Sequence, residues 1–254
     1  ADRLANHWEV KADLLLGNNV LAHVPDIVDF VGGMKIILAD TGVITMEFPH
    51  LVQLIDNSQF DTIYHEHFSY LSFHTVKQIF ESQGLELFDV DELSTHGGSL
   101  RIYAKHQEDN SKSVSINVKA LLDKEIAKGV TRLSYYQNFQ HKALQVKLDM
   151  TSFLIEQKRK GKKVAAYGAA AKGNTLLNYC GIKNDLIDFV VDANPNKQNK
   201  WLPASHIPVV NEDHLKVEKP DYIIILPWNL RDEITAQLSY IKEWGGQFVI
   251  PIPK

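Results

Sequence analysis

The stretch that says most about the fold is Lys163-Val164-Ala165-Ala166-Tyr167-Gly168-Ala169-Ala170-Ala171-Lys172-Gly173-Asn174. Its first five residues are typical of a short buried strand, and small residues then form a turn before a helix predicted from about Asn174 to Tyr179. Further strands are predicted at Leu186–Val191, Tyr222–Leu226 and Gln247–Ile252, and a helix at Leu230–Trp244. Because helices alternate with apolar strands, residues 161–254 are predicted to form an α/β domain with a parallel sheet covered on both faces.

Residues 1–107 also alternate between strand-like and helix-like segments. Strands are predicted at Asp13–Gly17, Gly42–Phe48, Leu85–Val90 and Ser99–Lys105, and helices at Pro25–Leu38 and Thr75–Gln83. The short loop between the last two strands indicates an antiparallel pair. In residues 108–160 apolar side chains recur every three or four positions, which predicts a helical connector that Gly129 divides into two helices.

Composition narrows the class of protein. The 254 residues carry a net charge of −4 without a strongly basic patch, which argues against nucleic acid as a partner. No apolar run approaches the roughly 20 residues that span a membrane. The single cysteine, Cys180, permits neither an internal disulfide nor a four-cysteine zinc site, and its apolar helical surroundings predict a buried, inert thiol. A cytoplasmic protein is expected.

One polar stretch stands out, Gln59 to Ser72, which holds two histidines, two acids and two tyrosines. Each of these groups would need a partner if it were buried, so the stretch is poorly suited to a core. An acid/base site is the favoured interpretation, because imidazole titrates near neutral pH and a carboxylate can raise its basicity. A metal site that uses His65 and His67 is an alternative, and a purely structural polar loop is another.

Five motifs in order make the resemblance specific: Asn18–Asp26, Gln59–Ser72, Thr95–Arg101, Tyr167–Asn174 and Asp192–Gln198. Together they resemble the sugar C-methyltransferase family, whose best-known members methylate C3 of thymidine-diphosphate-linked 4-keto-6-deoxy sugars. The likeness covers essentially the whole chain. It implies the C-terminal part of a Rossmann-like methyltransferase sheet, then the helical connector, then a second Rossmann-like domain.

The resemblance assigns catalytic roles to Tyr64, Glu66, His67 and His23. A ketone at C4 acidifies the proton on C3, and a base that removes this proton gives an enolate whose carbon attacks the donor's methyl group. His67 is the first candidate for the base and Tyr64 the second. Glu66 would orient the histidine or bind a sugar substituent, and His23 would stabilise charge on the ketone oxygen. A histidine at a helix entry explains His23 equally well.

The same resemblance implies S-adenosylmethionine as the methyl donor, touched by Asn18 and Asn19, although these amides could instead cap the following helix. A nucleotide-linked keto-sugar is the expected substrate. Residues predicted to line its site are Thr62, His65, His96, Gly97, Ser99, Tyr167, Lys172, Asn174 and Asp192.

Two of these predictions have a chemical basis of their own. Lys172 and the backbone N–H groups of the turn suit a pyrophosphate, and Asp192 suits a ribose hydroxyl. Ordinary turns explain the glycines at both places as well: a hairpin turn with positive φ near Gly97, and a tight strand-to-helix turn before Lys172.

The chain departs from the family in its first part. It contains neither the cysteine pairs of a zinc module nor the glycine-rich turn and ribose-binding acid of the donor site. A fragment, a truncated form or a descendant without methyl transfer is therefore expected, with weak donor binding by this chain alone. Pro203-Ala204-Ser205-His206 also replaces the family's usual proline-glycine turn.

Two rival functions remain open. The first is a nucleotide-sugar-binding module without catalysis, against which the intact Tyr64, Glu66 and His67 argue. The second is a nicotinamide-dependent oxidoreductase, against which the missing three-glycine fingerprint argues.

Overall fold

The computed structural model describes residues 11–252, which form two compact units. The N-terminal unit comprises residues 11–56 and 65–137, and the C-terminal unit comprises residues 57–64 and 138–252. The sequence suggests three regions, but the helical connector is shared between the two units. In addition, the short segment 57–64 leaves the first part of the sequence to join the C-terminal unit.

The N-terminal unit is built on a four-stranded mixed sheet. Its strands are β1 (Ala12–Asn18), β2 (Leu38–Pro49), β3 (Leu85–Leu93) and β4 (Ser99–His106). They are ordered β1-β2-β4-β3, with β1 parallel to β2 and β4 antiparallel to both of its neighbours. The antiparallel pairing of the last two strands confirms the sequence prediction. Phe48 on the second strand and Phe73 and Phe80, which follow in the chain, are fully buried in the core of this unit.

Five helices belong to the N-terminal unit: α1 (Ile27–Ile37), α2 (Leu51–Asp56), α3 (Phe73–Ser82), α4 (Ile116–Lys128) and α5 (Leu133–Tyr136). Asp26 caps α1 by accepting a hydrogen bond from the Asp29 backbone N–H, so the helix begins after Asp26 and not at Pro25 as predicted. Gly129 ends α4 in the left-handed conformation, which explains the break predicted there.

A buried carboxylate joins α4 to the start of α3. Glu125 Oε1 lies 2.7 Å from His50 Nε2 and accepts a hydrogen bond from the Phe73 backbone N–H. Glu125 Oε2 accepts one from the His74 backbone N–H. The first N–H groups of a helix have no partner within the helix, so this carboxylate completes the N-terminus of α3. The polar loop that precedes α3 therefore ends at a fixed point.

The C-terminal unit is built on a six-stranded sheet. Its strands are β5 (Val164–Tyr167), β6 (Val190–Val191), β7 (Lys200–Trp201), β8 (Pro208–Val210), β9 (Tyr222–Ile225) and β10 (Gln247–Val249). In the order β10-β9-β5-β6-β8-β7, only β7 is antiparallel to its neighbour. Alternate β5 residues belong to two different core clusters, as expected for a sheet covered on both faces.

The helices of this unit are α6 (Phe139–Arg159), α7 (Ala171–Cys180), α8 (Asp213–Glu218) and α9 (Arg231–Gln237). The predicted helix Leu230–Trp244 is divided, because a 3-10 segment, Ser239–Trp244, follows α9. The predicted strand at Leu186–Val191 shrinks to two residues. The chain is thus an α/β protein with two mixed sheets. Within residues 11–252, no helix has both the length and the apolar character needed to cross a membrane.

Candidate active site

The turn after β1 places Asn19 in an unusual environment. Its backbone is left-handed, with φ at 56°, a conformation that asparagine tolerates better than most residues. Its Nδ2 lies 3.3 Å from His96 Nε2. Its Oδ1 is buried and has no hydrogen-bond partner within residues 11–252. Neither Asn18 nor Asn19 caps a helix, because Val20 and Asp26 occupy the N-cap positions of the two helical segments that follow.

The second part of the site is the turn between β3 and β4. His96, Gly97 and Gly98 all have positive φ, and a Cβ on Gly98 would lie 2.5 Å from Gln53 Cγ. Positive φ favours glycine at both positions, and close packing against Gln53 also requires it at Gly98. Ser99 is buried and its hydroxyl donates to the Thr95 carbonyl, so it holds the turn together. His96 is exposed at the tip, beside Asn19.

A buried carboxylate that the sequence patterns did not reveal supports both turns. Glu47 on β2 accepts hydrogen bonds from the Arg101 guanidinium at 2.8 Å and the Thr95 hydroxyl at 2.9 Å. Burial raises the pKa of Glu47, but the hydrogen bonds from Arg101 and Thr95 outweigh it and hold the pKa below its usual value. Its backbone carbonyl also accepts from the Asn19 N–H at 2.8 Å. Glu47 thus keeps its charge and ties the two turns to β2.

The polar loop closes onto the turn after β1. The backbone N–H groups of Phe68 and Ser69 donate to the Ala22 carbonyl. This contact brings the ring of His67 to within 4.8 Å, centroid to centroid, of the ring of His23 in an edge-on arrangement. The ring of Tyr70 lies 5.9 Å from His67 on another side. The structure therefore brings together two of the four predicted catalytic residues and adds Tyr70, which the sequence did not single out.

The remaining predicted residues of the loop lie differently. His65 and Glu66 are exposed. Tyr64 and Thr62 belong to the C-terminal unit, because the chain leaves that unit after Tyr64. Thr62 is buried and its hydroxyl donates to the Gln59 carbonyl at 2.8 Å. Residues 11–252 contain no group of three or more His, Cys, Asp or Glu side chains that could hold a metal ion.

In the C-terminal unit, glycines let the turn after β5 pack closely. A Cβ on Gly168, where φ is 94°, would lie 2.4 Å from Pro227 Cδ, and one on Gly173 would lie 2.7 Å from Leu226 Cβ. The half-buried Lys172 donates to Asn229 Oδ1 at 3.1 Å, and its ammonium lies 4.5 Å from the centre of the Trp228 ring. Burial lowers the pKa of Lys172. On α7, Asn174 Oδ1 is buried without a partner in the described chain.

The two other predicted residues of this unit are engaged by the protein itself. Asp192 accepts hydrogen bonds from the backbone N–H groups of Ala169 at 2.7 Å and Asn194 at 2.8 Å. The Tyr167 hydroxyl accepts from Gln237 Nε2 at 3.2 Å, and its ring is buried. Asp192 therefore braces the turn and the Tyr167 hydroxyl is bound by α9, and the contact of either side chain with a substrate stays a prediction.

Comparison with known proteins identifies the family. The family model described as "C-methyltransferase C-terminal domain" matches residues 94–253, which is more than half of the chain. The chain belongs to the C-methyltransferase family. The C-methyltransferase NovU of Streptomyces niveus is 37% identical over 243 residues, which cover 96% of this chain. This chain spans 58% of the length of NovU.

A solved structure is more distant from this member of the family. The crystal structure of an M1.HpyAVI–SAM complex matches with a TM-score of 0.28 and 8% identity, over 42% of this chain and 50% of the other. Similarity at that level gives no information about the site. The family match begins at Ser94, so it includes the glycine turn at 95–98 and the whole turn after β5.

Proposed function

We propose that this C-methyltransferase acts on a ring carbon next to the ketone of a nucleotide-linked 4-keto-deoxysugar. The observation that carries the proposal is the pairing of His67 with His23 at the carboxyl end of β1. Two imidazoles in contact, at an edge where α/β enzymes bind their ligands, suit the removal of a proton and the stabilisation of the resulting oxyanion.

On the donor side, Asn18 and Asn19 are proposed to touch S-adenosylmethionine. When it is bound, S-adenosylmethionine supplies an electrophilic methyl group. The buried Asn19 Oδ1 fits this role, because an acceptor without a partner is costly unless a bound molecule donates to it. Asn18 is exposed beside it at the end of the strand. Because these two amides offer few contacts, we expect residues 1–254 by themselves to bind the donor weakly.

On the acceptor side, His67 is proposed to remove the proton next to the ketone, with Tyr64 as the second candidate. Glu66 would orient His67 or bind a sugar substituent, and His23 would stabilise negative charge on the ketone oxygen. The ring of His67 contacts the rings of His23 and Tyr70, and these contacts would fix the orientation of the base. His65, Thr62, His96, Gly97 and Ser99 would shape the sugar site.

The nucleotide is proposed to bind the C-terminal unit. Lys172 would attract the pyrophosphate, and Asn174, whose buried Oδ1 has no described partner, would accept a hydrogen bond from the ligand. A nicotinamide dinucleotide fits this turn less well, because the turn lacks the three-glycine fingerprint.

Product analysis tests the proposal. The native protein is incubated with methyl-labelled S-adenosylmethionine and a nucleotide-linked 4-keto-deoxysugar, and the product is examined by mass spectrometry and carbon NMR. The proposal expects one added methyl group, bonded to a ring carbon next to the ketone. Methylation of oxygen or nitrogen contradicts it. Tight binding of the sugar nucleotide without turnover would favour the binding module instead.

A further inference from the structure

A buried acid in the C-terminal unit has no role in the proposed chemistry. Asp61 is fully buried, and it lies in the 3-10 turn Phe60–Thr62, three residues before Tyr64. Its Oδ2 accepts a hydrogen bond of 2.7 Å from the Trp228 indole N–H. Its Oδ1 has no partner within residues 11–252. A carboxylate is unexpected at such a buried position, because burying a charge costs free energy.

The surroundings of Asp61 form one connected group. The groups that act on its carboxylate are the Trp228 indole, the Lys172 ammonium and the backbone N–H groups of Asp61 and Thr62. Lys172 lies over the same indole ring and donates to Asn229. Burial raises the pKa of Asp61 to about 6, although the indole and Lys172 act in the opposite direction. At neutral pH the carboxylate is charged at a cost in stability.

The residue beside Asp61 fixes the same turn. Phe60 is buried in the core of the C-terminal unit, with its ring 4.8 Å from the ring of Tyr179 on α7. The Ile63 N–H donates to the Phe60 carbonyl, which closes the turn just before Tyr64. Two consecutive side chains therefore hold segment 57–64 on this unit, and the second of them uses a costly charge to do so.

We propose that Asp61 is a positioning residue, which fixes the turn leading to Tyr64 onto the C-terminal unit through the Trp228 indole and beside Lys172. The catalytic consequence rests on the function proposed above. A buried polar group of this kind gives a segment one specific placement, while an apolar or neutral replacement can be more stable and less specific.

Hydrogen exchange of this chain, without any ligand, tests the anchor directly. In Asp61→Leu, which removes the acceptor of the Trp228 indole N–H, the amides of residues 57–64 should exchange about tenfold faster or more, the worth of one hydrogen bond to a charged group. Asp185→Leu, which changes an exposed acid in the same unit, should leave them unchanged. If Asp61→Leu does not fold, Trp228→Phe gives the second test, because it removes the indole donor and keeps an aromatic ring. Unchanged exchange of 57–64 in either folded variant overturns the proposal.

A spectroscopic signature separates the anchor from general loss of structure. Among the four tryptophans, the indole N–H resonance of Trp228 is identified by its loss in Trp228→Phe. In the wild type it should titrate with a midpoint at about 6, the pKa of Asp61. In Asp61→Asn it should not titrate. A wild-type resonance that stays constant between pH 4 and 8 would contradict the hydrogen bond on which the proposal depends.

Kinetics of the native protein then test the link to catalysis. Asp61→Leu should lower kcat about tenfold or more with the KM for the methyl donor unchanged, and without lowering the unfolding temperature at pH 7.5. Normal kcat with a loosened segment would overturn the positioning role. If the wild type does not methylate sugars at all, the proposed function fails, while the exchange and titration results still decide whether Asp61 is the anchor.

Discussion

The two turns that follow the first strand of each unit resemble each other in sequence pattern but differ in how their side chains are used. After β1, Asn19 keeps a buried acceptor without a described partner, and two imidazoles meet nearby. After β5, Asn174 also keeps a buried acceptor without a described partner, but the charged groups Lys172 and Asp192 contact protein groups, with Lys172 on Asn229 and Asp192 on two backbone N–H groups. A strand–turn–helix pattern therefore predicts where a site can be. Which ligands the site can bind depends on the polar side-chain groups that the protein itself does not engage.

On the function proposed above, acid/base chemistry belongs to the N-terminal unit, and anchoring and nucleotide binding belong to the C-terminal unit. A change at His67 should therefore affect turnover without affecting folding, while a change at the closely packed Gly168 should affect folding first. Four substitutions test this division, in order of decreasing expected effect.

The largest effect is expected for His67→Asn in the native protein. Loss of an acid/base group typically lowers turnover by about 10²–10⁴-fold, and the apparent substrate affinity should change far less, because the lost interaction belongs mainly to the transition state. Steady-state kinetics provide the measurement. His141→Asn is the matched control, since it alters an exposed histidine on α6. Equal losses in the two variants would remove His67 from the mechanism.

Glu125→Leu should destabilise the N-terminal unit by about 3–5 kcal/mol, the usual cost of breaking a buried pair by removing one partner. The change leaves His50 and two backbone N–H groups at the start of α3 without their acceptor. Urea unfolding followed by circular dichroism measures the loss. Asp123→Asn, on an exposed position of the same helix, serves as the control. A variant as stable as the wild type would show that this carboxylate does not support the polar loop.

Gly168→Ala should destabilise the C-terminal unit by about 2–4 kcal/mol, since backbone strain and overpacking each cost about 1–3 kcal/mol. The new Cβ would have to share space with Pro227 Cδ, 2.4 Å away. Gly181 offers a matched control, because its φ is also positive but no atom lies within 4 Å of the place that a Cβ would take there. Gly181→Ala should cost only about 1 kcal/mol. Equal unfolding temperatures for the two variants would exclude close packing as the reason for Gly168.

The smallest effect is expected for Lys172→Ala. If the ammonium attracts a pyrophosphate, binding of the sugar nucleotide should weaken by about 1–3 kcal/mol, the worth of a hydrogen bond to a charged group. The loss should be similar for different sugars on the same nucleotide. Calorimetry with a nucleoside diphosphate and with its sugar-linked forms gives the comparison. Unchanged affinity would leave Lys172 with its contacts to Asn229 and Trp228 as its role.

The sequence predicted the parts of the fold that have strong periodicity. The antiparallel pair β3–β4, the break at Gly129 and the parallel strands around β5 all follow from local pattern. The sequence did not predict β7, β8 and α8, because two or three residues are too few to show a period, and α8 has no side-chain cap.

For the site, the pattern identified the polar loop but not its partners. Glu47 and Asp61 were missed because their roles depend on contacts between residues distant in the chain: Glu47 with Arg101, and Asp61 with Trp228. Tyr70 was missed because its ring contact with the nearby His67 depends on the conformation of an irregular loop. The alternation of β2 gives no sign that one of its acids is buried and paired. The membership of segment 57–64 in the C-terminal unit is likewise a tertiary property, which no local periodicity encodes.

Deuterium incorporation tests most directly whether His67 removes the proton next to the ketone. A nucleotide-linked 4-keto-deoxysugar is incubated with the native protein in heavy water, without a methyl donor, and the ring carbon next to the ketone is followed by proton NMR. We predict exchange by the wild type and by Tyr64→Phe, and none above background by His67→Asn. Exchange by His67→Asn at the wild-type rate would show that His67 is not the base. Loss of exchange in Tyr64→Phe alone would transfer the role of the base to Tyr64.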